Sequence, residues 1–557
     1  MTFLPMTAVL LLSATLFEQD TTPPAEKASE HKPPPCVISG RVVTAADGIA
    51  LKSARVALVP EGHTSKKQVY SVNTDGDGRF VLKDVEQGRY EFFAMHAGFV
   101  DQHYQAKSAE KGATLSLKAG DKLGDVFFRM TLAAVITGRV TNEDGEPVVR
   151  VQVVASRPPS EDELEDETWL ASGKQKLLPV SSALTDDRGQ YRIFGLKPGE
   201  YFLQVTDNYQ PDMVGVVDET YQVRESMGSE HASTYYPGVN QVSQAQSISV
   251  KAGEEAQADV PMRVVRTVEV AGRVIGPNGP AKDAWLEMQT PGEDVGVELH
   301  SSTDDKGNFR IKGVPPGSYV ILAYQLSDRE GYFEVGGRLK VEVAGENIDS
   351  LTIVVGAGAI VRGRVVFAGP ETLTLSRVGL VLHSVEREDP WANPGRVKKD
   401  GTFELTSLRE GTYTLEVWGL EDNWYVKTAR FGGDDILTEG LVLERGASGG
   451  KLEITLSSAS AQVEGSVSDD DGPVVGARVR IAPDPETPFT RFRSHHTRSD
   501  QAGHFSLTGL APGKYRLVAK STAASDGSIA QSAPQAVTLL ESEHKTLSVK
   551  LVKPQEQ

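Results

Sequence analysis

A single cysteine, Cys36, in a chain of 557 residues excludes an intrachain disulfide framework and any cysteine-based structural zinc site. At the head of the first foldable stretch it reads as an inert thiol. Positive charge is in deficit: 58 Lys and Arg stand against 76 Asp and Glu, a net charge of −18. Such a balance repels phosphate backbones and anionic membranes, which argues against nucleic-acid partners. Long apolar runs are missing as well, apart from FLPMTAVLLLSATLF at 3–17. That run is shorter than the about 20 residues of a spanning helix, so residues 1–17 read as a signal peptide or N-terminal anchor and no further integral membrane segment is expected. Pro33, Pro34 and Pro35 directly before Cys36 exclude a lipobox. Residues 18–35 are polar and proline-rich and read as an extended linker. Gly-rich phosphate loops and H-E-x-x-H helices are absent, and with them two of the common enzyme signatures.

What is plentiful is turn-forming residues. Glycine at 54 and proline at 30, mixed with Val, Thr and Tyr, describe an all-β chain rich in tight turns. The length is several times that of one domain of about 100 to 150 residues.

One stretch recurs five times: TDGDGRFVLKDVEQGRY (74–90), TDDRGQYRIFGLKPGEY (185–201), TDDKGNFRIKGVPPGSY (303–319), KKDGTFELTSLREGTY (398–413) and RSDQAGHFSLTGLAPGKY (498–515). In each copy an aromatic follows the first glycine by two residues, a second glycine by ten and a tyrosine by twelve. A second element precedes each copy: SGRVV (39–43), TGRVT (137–141), AGRVI (271–275), RGRVV (362–366) and EGSVS (464–468). Period-two alternation in runs such as FRIKGV and YVILAY predicts half-buried strands, with the aromatic and the tyrosine facing one core. Short strands broken by turn signals every 8 to 12 residues are the pattern of a Greek-key β-sandwich.

The expected organisation is therefore five tandem modules at 36–130, 131–264 (with long inserts), 265–356, 357–458 and 459–553, strung as a rod or bent chain. The paired GRV…DxxGxFxLxxLxPGxY pattern resembles the carboxypeptidase regulatory-like domain, a transthyretin-like sandwich grouped with carbohydrate-binding-like folds. That resemblance implies exported, often bacterial, cell-surface, periplasmic or extracellular proteins in which such modules act as non-catalytic spacers, adhesion units or appendages to enzymes. Module four departs from the pattern with KKDG, and module five has Ser466 in place of the arginine.

Three kinds of site are weighed. The acidic residues Asp75, Asp77, Asp186, Asp187, Asp304 and Asp305 supply too few carboxylates per loop for calcium and read as turn formers. His383 with Glu386 and a later His495 or His496 imitates the spacing of a zinc peptidase, but these residues fall in a strand and in a different module, so neither a metal nor any other cofactor is expected. Ligand stacking is the remaining option. Trp391, Trp424 and Tyr425 in module four and Trp169 in the acidic insert at 157–179 are the candidates, while Trp418 and Trp285 read as core. Trp424 and Tyr425 alternate along a strand, so only one of them is expected inside. The chain thus reads as a monomeric, exported, non-catalytic binding or spacer protein with a polysaccharide or a surface or periplasmic protein as partner. The alternatives are a purely structural or adhesive stalk and an accessory part of a metallocarboxypeptidase system.

Overall fold

The computed structural model describes residues 33–61, 68–106, 112–160, 177–206, 233–240, 242–262, 267–290, 298–326, 333–356, 358–385, 394–444, 450–521 and 529–552. The expected signal segment, nearly all of the linker, and most of the two inserts of module two lie outside them. The described residues are almost entirely strand and turn.

The same pairing recurs along the chain. The strand carrying the GRV element (Cys36–Thr44, Ala134–Thr141, Val268–Gly276, Ala359–Phe367, Ala461–Asp469) is flanked on one side by the antiparallel strand that follows the first turn glycine. On its other side it pairs in parallel with the last strands of the repeat. A second sheet, built for example from Arg55–Pro60, Tyr70–Asn73 and Gly88–Met95, packs over this one. Five separate hydrophobic clusters fill the resulting sandwiches. In the last of them the strand Gln531–Ser532 joins Gly513–Lys520 to His544–Val552, merging both layers into one nine-stranded sheet.

The GRV glycine and the aromatic, read from the sequence as separate signals, are cross-strand partners. The pairs are Gly40 with Phe80, Gly138 with Tyr191, Gly272 with Phe309, Gly363 with Phe403 and Gly465 with Phe505. A Cβ at any of these glycines would overlap a carbonyl oxygen on the neighbouring parallel side, and at Gly40, Gly363 and Gly465 the partner's ring as well. The backbone approach, not turn geometry, makes glycine necessary there. The first turn glycine answers a different need: Gly78, Gly189, Gly307, Gly401 and Gly503 lie at φ between 72° and 84°, where a side chain is strained.

Each recurrent tyrosine is buried and donates its hydroxyl to the carbonyl four residues earlier: Tyr90 to Glu86, Tyr201 to Lys197, Tyr319 to Pro315, Tyr413 to Arg409 and Tyr515 to Ala511, at 2.8 to 3.0 Å. This tyrosine corner ties the hairpin to the core while satisfying a buried hydroxyl.

The threonine that opens the motif is a buried strut. Thr303 Oγ1 donates to Ala281 O at 2.6 Å and accepts from Ala284 N at 2.8 Å. Thr74, Thr185 and Ser499 repeat the arrangement. In the fourth unit Val397, also buried, takes the position, so the departure seen in KKDG substitutes packing for hydrogen bonds. Thr303→Val is expected to destabilise the third unit by about 1–3 kcal/mol, because an N–H and a carbonyl lose their buried partner. Chemical denaturation of the variant checks it. A change within about 0.3 kcal/mol would mean that the strut carries no net stability.

Candidate functional site

The acidic pairs are settled by their hydrogen bonds. Asp75, Asp186, Asp304 and Asp500 each accept, through Oδ1, the backbone N–H groups two and four residues ahead at 2.7 to 2.9 Å. This is an Asx turn that closes the hairpin. Hydrogen bonds from Asn308 hold the Asp304 carboxyl below its usual range. Among the described residues no group of three or more His, Cys, Asp or Glu is arranged to hold a metal ion. His383 Nε2 is engaged with Glu416 Oε2 at 2.6 Å, and Glu386 lies outside the described residues.

The aromatic candidates are distributed unevenly. Trp169 and Trp391 lie outside the described residues. Trp424 is 6% exposed and belongs to the fourth hydrophobic cluster, packed edge-on to Phe367 with ring centroids 5.4 Å apart. Tyr425 is 5% exposed, its hydroxyl 2.8 Å from Glu541 Oε1 of the fifth unit, and burial together with that carboxylate pushes it up to about 12. Alternation does send the two side chains to opposite faces. Both are nevertheless covered, because the second face meets a neighbouring unit, and neither turns a ring to solvent.

Trp418 departs from the core position expected of it, while Trp285 is half-buried against a small second cluster of Val320, Leu322 and Tyr324. Trp285 sits on the outer face of the third unit's sheet, stacked on His300 with an interplanar angle of 4° and centroids 5.2 Å apart. Burial pushes His300 down to about 4, so it is neutral there at physiological pH. Trp418 is 38% exposed at the end of strand Gly411–Trp418. It lies directly across from Gly379 of strand Gly379–Ser384, where a Cβ would strike the indole. The missing side chain lets the ring lie down on the backbone with its other side outward, the arrangement by which an aromatic covers a cross-strand glycine.

The rest of this outer face follows from the period of two. Thr414 and Glu416 precede Trp418 on its strand, and Val381 and His383 follow Gly379 on the other. At its far end the fifth unit contributes Arg491 and Phe492. Phe492 stacks on His383 at 4.9 Å and 29°, Arg491 lies 4.6 Å from the Phe492 ring centroid, and Thr414 Oγ1 donates to Phe489 O. Burial lowers the Arg491 guanidinium from its usual range, and the nearby Glu416 opposes that shift. From Trp418 to Thr414 the strand covers ~14 Å at ~3.4 Å per residue. The result is an aromatic platform at each end with a carboxylate, an imidazole and a guanidinium between or beside them. Such a surface can stack on a flat apolar ring and hydrogen-bond to hydroxyls alongside it. A concavity in the fifth unit, about 90 Å³ lined by residues including Arg480, Asp484, Glu486 and Arg516, is far smaller than the about 300 Å³ of a small-molecule pocket.

Residue type alone assigns Trp418 to the core, although alternation with Thr414 and Glu416 places it on the outer face. A second signal is the glycine opposite, 39 residues earlier in the chain, which only the strand register reveals.

Comparison with known proteins follows the same lines. A 236-residue stretch is 21% identical to BOS complex subunit NOMO1 of Mus musculus, covering 42% of this chain and 18% of that protein. The chain therefore matches less than a fifth of the relative's length. Among solved structures, the streptococcal ancillary pilin aligns at 9% identity and a TM-score of 0.20 over 57% of this chain and 99% of that one. BcpA, the major pilin subunit of Bacillus cereus, aligns at 13% and 0.13 over 58% and 100%. The model of the carboxypeptidase regulatory-like domain matches residues 37–120, 135–263 and 462–552. Although the third and fourth units fall outside those stretches, they keep the glycine–aromatic register and the tyrosine corner. With more than half of its length matched and the same sandwich repeated between the matches, the chain belongs to the carboxypeptidase regulatory-like domain family.

Proposed function

We propose that this protein is an exported, non-catalytic array of five carboxypeptidase regulatory-like modules, bounded at 36–130, 131–264, 265–356, 357–458 and 459–553, that binds a polysaccharide on the outer face of its fourth module. The observation that carries the reading is Trp418, seated on Gly379 with one ring side outward and followed along the same face by Glu416, His383 and the Phe492–Arg491 pair. A sugar's C–H face stacks on an indole, and its vicinal hydroxyls suit the paired oxygens of a carboxylate and the fork of a guanidinium. Thr414 and Val381 are covered, so the open part runs from Trp418 past Glu416 and His383, and a shallow exposed face of this kind fits a glycan better than a small molecule, which favours a cleft. The acidic net charge of −18 directs the choice toward neutral glycans or those with basic groups.

A glycan array probed with the full chain tests this. The wild type is expected to retain a polysaccharide, and Trp418→Ala to weaken that binding roughly tenfold, the scale of one aromatic contact with its buried area. Trp418→Phe should recover part of the loss. Absence of binding by the wild type, or equal binding by Trp418→Ala, removes the proposal and leaves a structural or adhesive stalk.

A further inference from the structure

The five hairpin turns are alike in backbone and unlike in what they touch. In the fifth unit, strands His495–Arg498 and His504–Leu510 are joined by the turn Ser499–Gly503. Its Asp500 is buried, whereas the matching Asp75, Asp186 and Asp304 are exposed. What covers it is the first unit. Asp500 pairs as a parallel bridge with Thr114, at the start of the strand Thr114–Leu117. One side of that strand is taken by Gly88–Met95; the other is an edge. Gln501, at the turn's tip, engages this edge as a neighbouring strand would. Its Oε1 accepts from Ser116 N at 3.1 Å and its Nε2 donates to Ser116 O at 2.9 Å.

Beside this bridge stands a polar cluster. Glu61 Oε2 receives Arg89 Nε at 2.6 Å, while Glu61 Oε1 accepts from Thr497 Oγ1 at 2.9 Å and from Thr114 Oγ1 at 3.2 Å. Arg89 Nη2 donates to Arg498 O at 2.9 Å. Both charged side chains are about three-quarters covered, with side-chain exposures of 27% and 22%. An apolar contact completes the surface: Val475 packs on the first hydrophobic cluster, and Gly476 lies against Ala113.

We propose that the turn Ser499–Gly503 is a clasp specialised to dock on the edge strand Thr114–Leu117, closing the chain so that its fifth module seals its first. The sequence carries the specialisation. Where the fifth copy has Gln501, the others have Gly76, Asp187, Asp305 and Lys399. Glycine offers no side chain, the two aspartates cannot donate to a carbonyl, and the lysine cannot accept from an N–H; glutamine alone of these can both donate and accept across one residue of an edge. The clasp also gives the edge strand a cover, since an unpaired row of N–H and C=O groups recruits other strands. The two surfaces are different, so the same contact made between copies would propagate head to tail without end unless it closed into a ring. Closure within one chain prevents that. A straight rod of five sandwiches would leave both surfaces in solvent.

The test uses the full chain. Small-angle scattering of the wild type should give a monomer whose maximum dimension is well below that of five sandwiches end to end, and Glu61→Ala with Gln501→Ala should increase it. Thermal unfolding and circular dichroism close to wild type would certify that the double variant is folded. In parallel, Ser116→Cys with Gln501→Cys, joined by a short bis-maleimide, should cross-link within one molecule, because Cys36 is buried and does not compete. An extended wild type indistinguishable from the double variant would overturn the proposal. So would cross-links formed only between molecules, which would place the contact in an oligomer.

Discussion

Alanine at Gly363 is expected to destabilise the fourth module by at least about 3 kcal/mol and to remove its transition from the calorimetric trace while the other modules unfold as before. Gly363 pairs with Phe403 on one side and Leu452 on the other, at the centre of the layer that holds the module's first strand. An added methyl would run into the Leu452 carbonyl oxygen and the Phe403 ring together. Overpacking a core costs about 1–3 kcal/mol when flexible side chains can yield. Here one obstacle is a backbone oxygen held in a ladder, and the other is a buried ring with core neighbours on all sides. Relief requires the two strands to part, which breaks hydrogen bonds that no water replaces. Gly124→Ala is the control: that glycine also lies in a strand, yet nothing stands within 4 Å of its would-be Cβ, and a change below about 0.5 kcal/mol is expected. Equal effects from the two substitutions would show that strand propensity, rather than close approach, explains the repeated glycine.

This glycine shows where a sequence alone is informative and where it falls short. The five copies of GRV and of DxxGxF are visible as text, and period-two alternation places Phe80, Tyr191, Phe309, Phe403 and Phe505 inside, as found. That the glycine and the aromatic face each other is a matter of register between strands some 40 to 50 residues apart, which no local pattern encodes. The recurrent tyrosine was legible as core, but its hydroxyl bond to the fourth residue upstream explains why phenylalanine does not replace it in any copy. The same limit governs the candidate site. Alternation separates Trp424 from Tyr425 correctly, but the cover over Tyr425 belongs to Glu541 of the next module. Trp418 alternates with Thr414 and Glu416 on the outer face, and Gly379 across the ladder shows why its ring can lie flat there. Two tryptophans of one module therefore exchange the roles expected of them.

That exchange yields the second large effect. Trp424→Ala is expected to cost the fourth module about 3–5 kcal/mol, the range for removing a large aromatic from a packed core. Its indole fills space between Phe367, whose ring meets it at 66°, and the strands Ala359–Phe367 and Lys451–Ser457. Its backbone N–H closes the turn from Glu421 at 2.8 Å, so the chain cannot readily collapse into the cavity left behind. Trp418→Ala, by contrast, removes a half-covered ring from a glycine and should cost about 1 kcal/mol or less. The two variants thus divide stability from binding. Urea unfolding should separate them by several kcal/mol with Trp424→Ala the weaker, while at low temperature, where both remain folded, a glycan bound by the wild type should be lost only by Trp418→Ala. The reverse pattern, a stable Trp424→Ala that no longer binds, would place the ligand on the buried tryptophan and refute the assignment of the outer face.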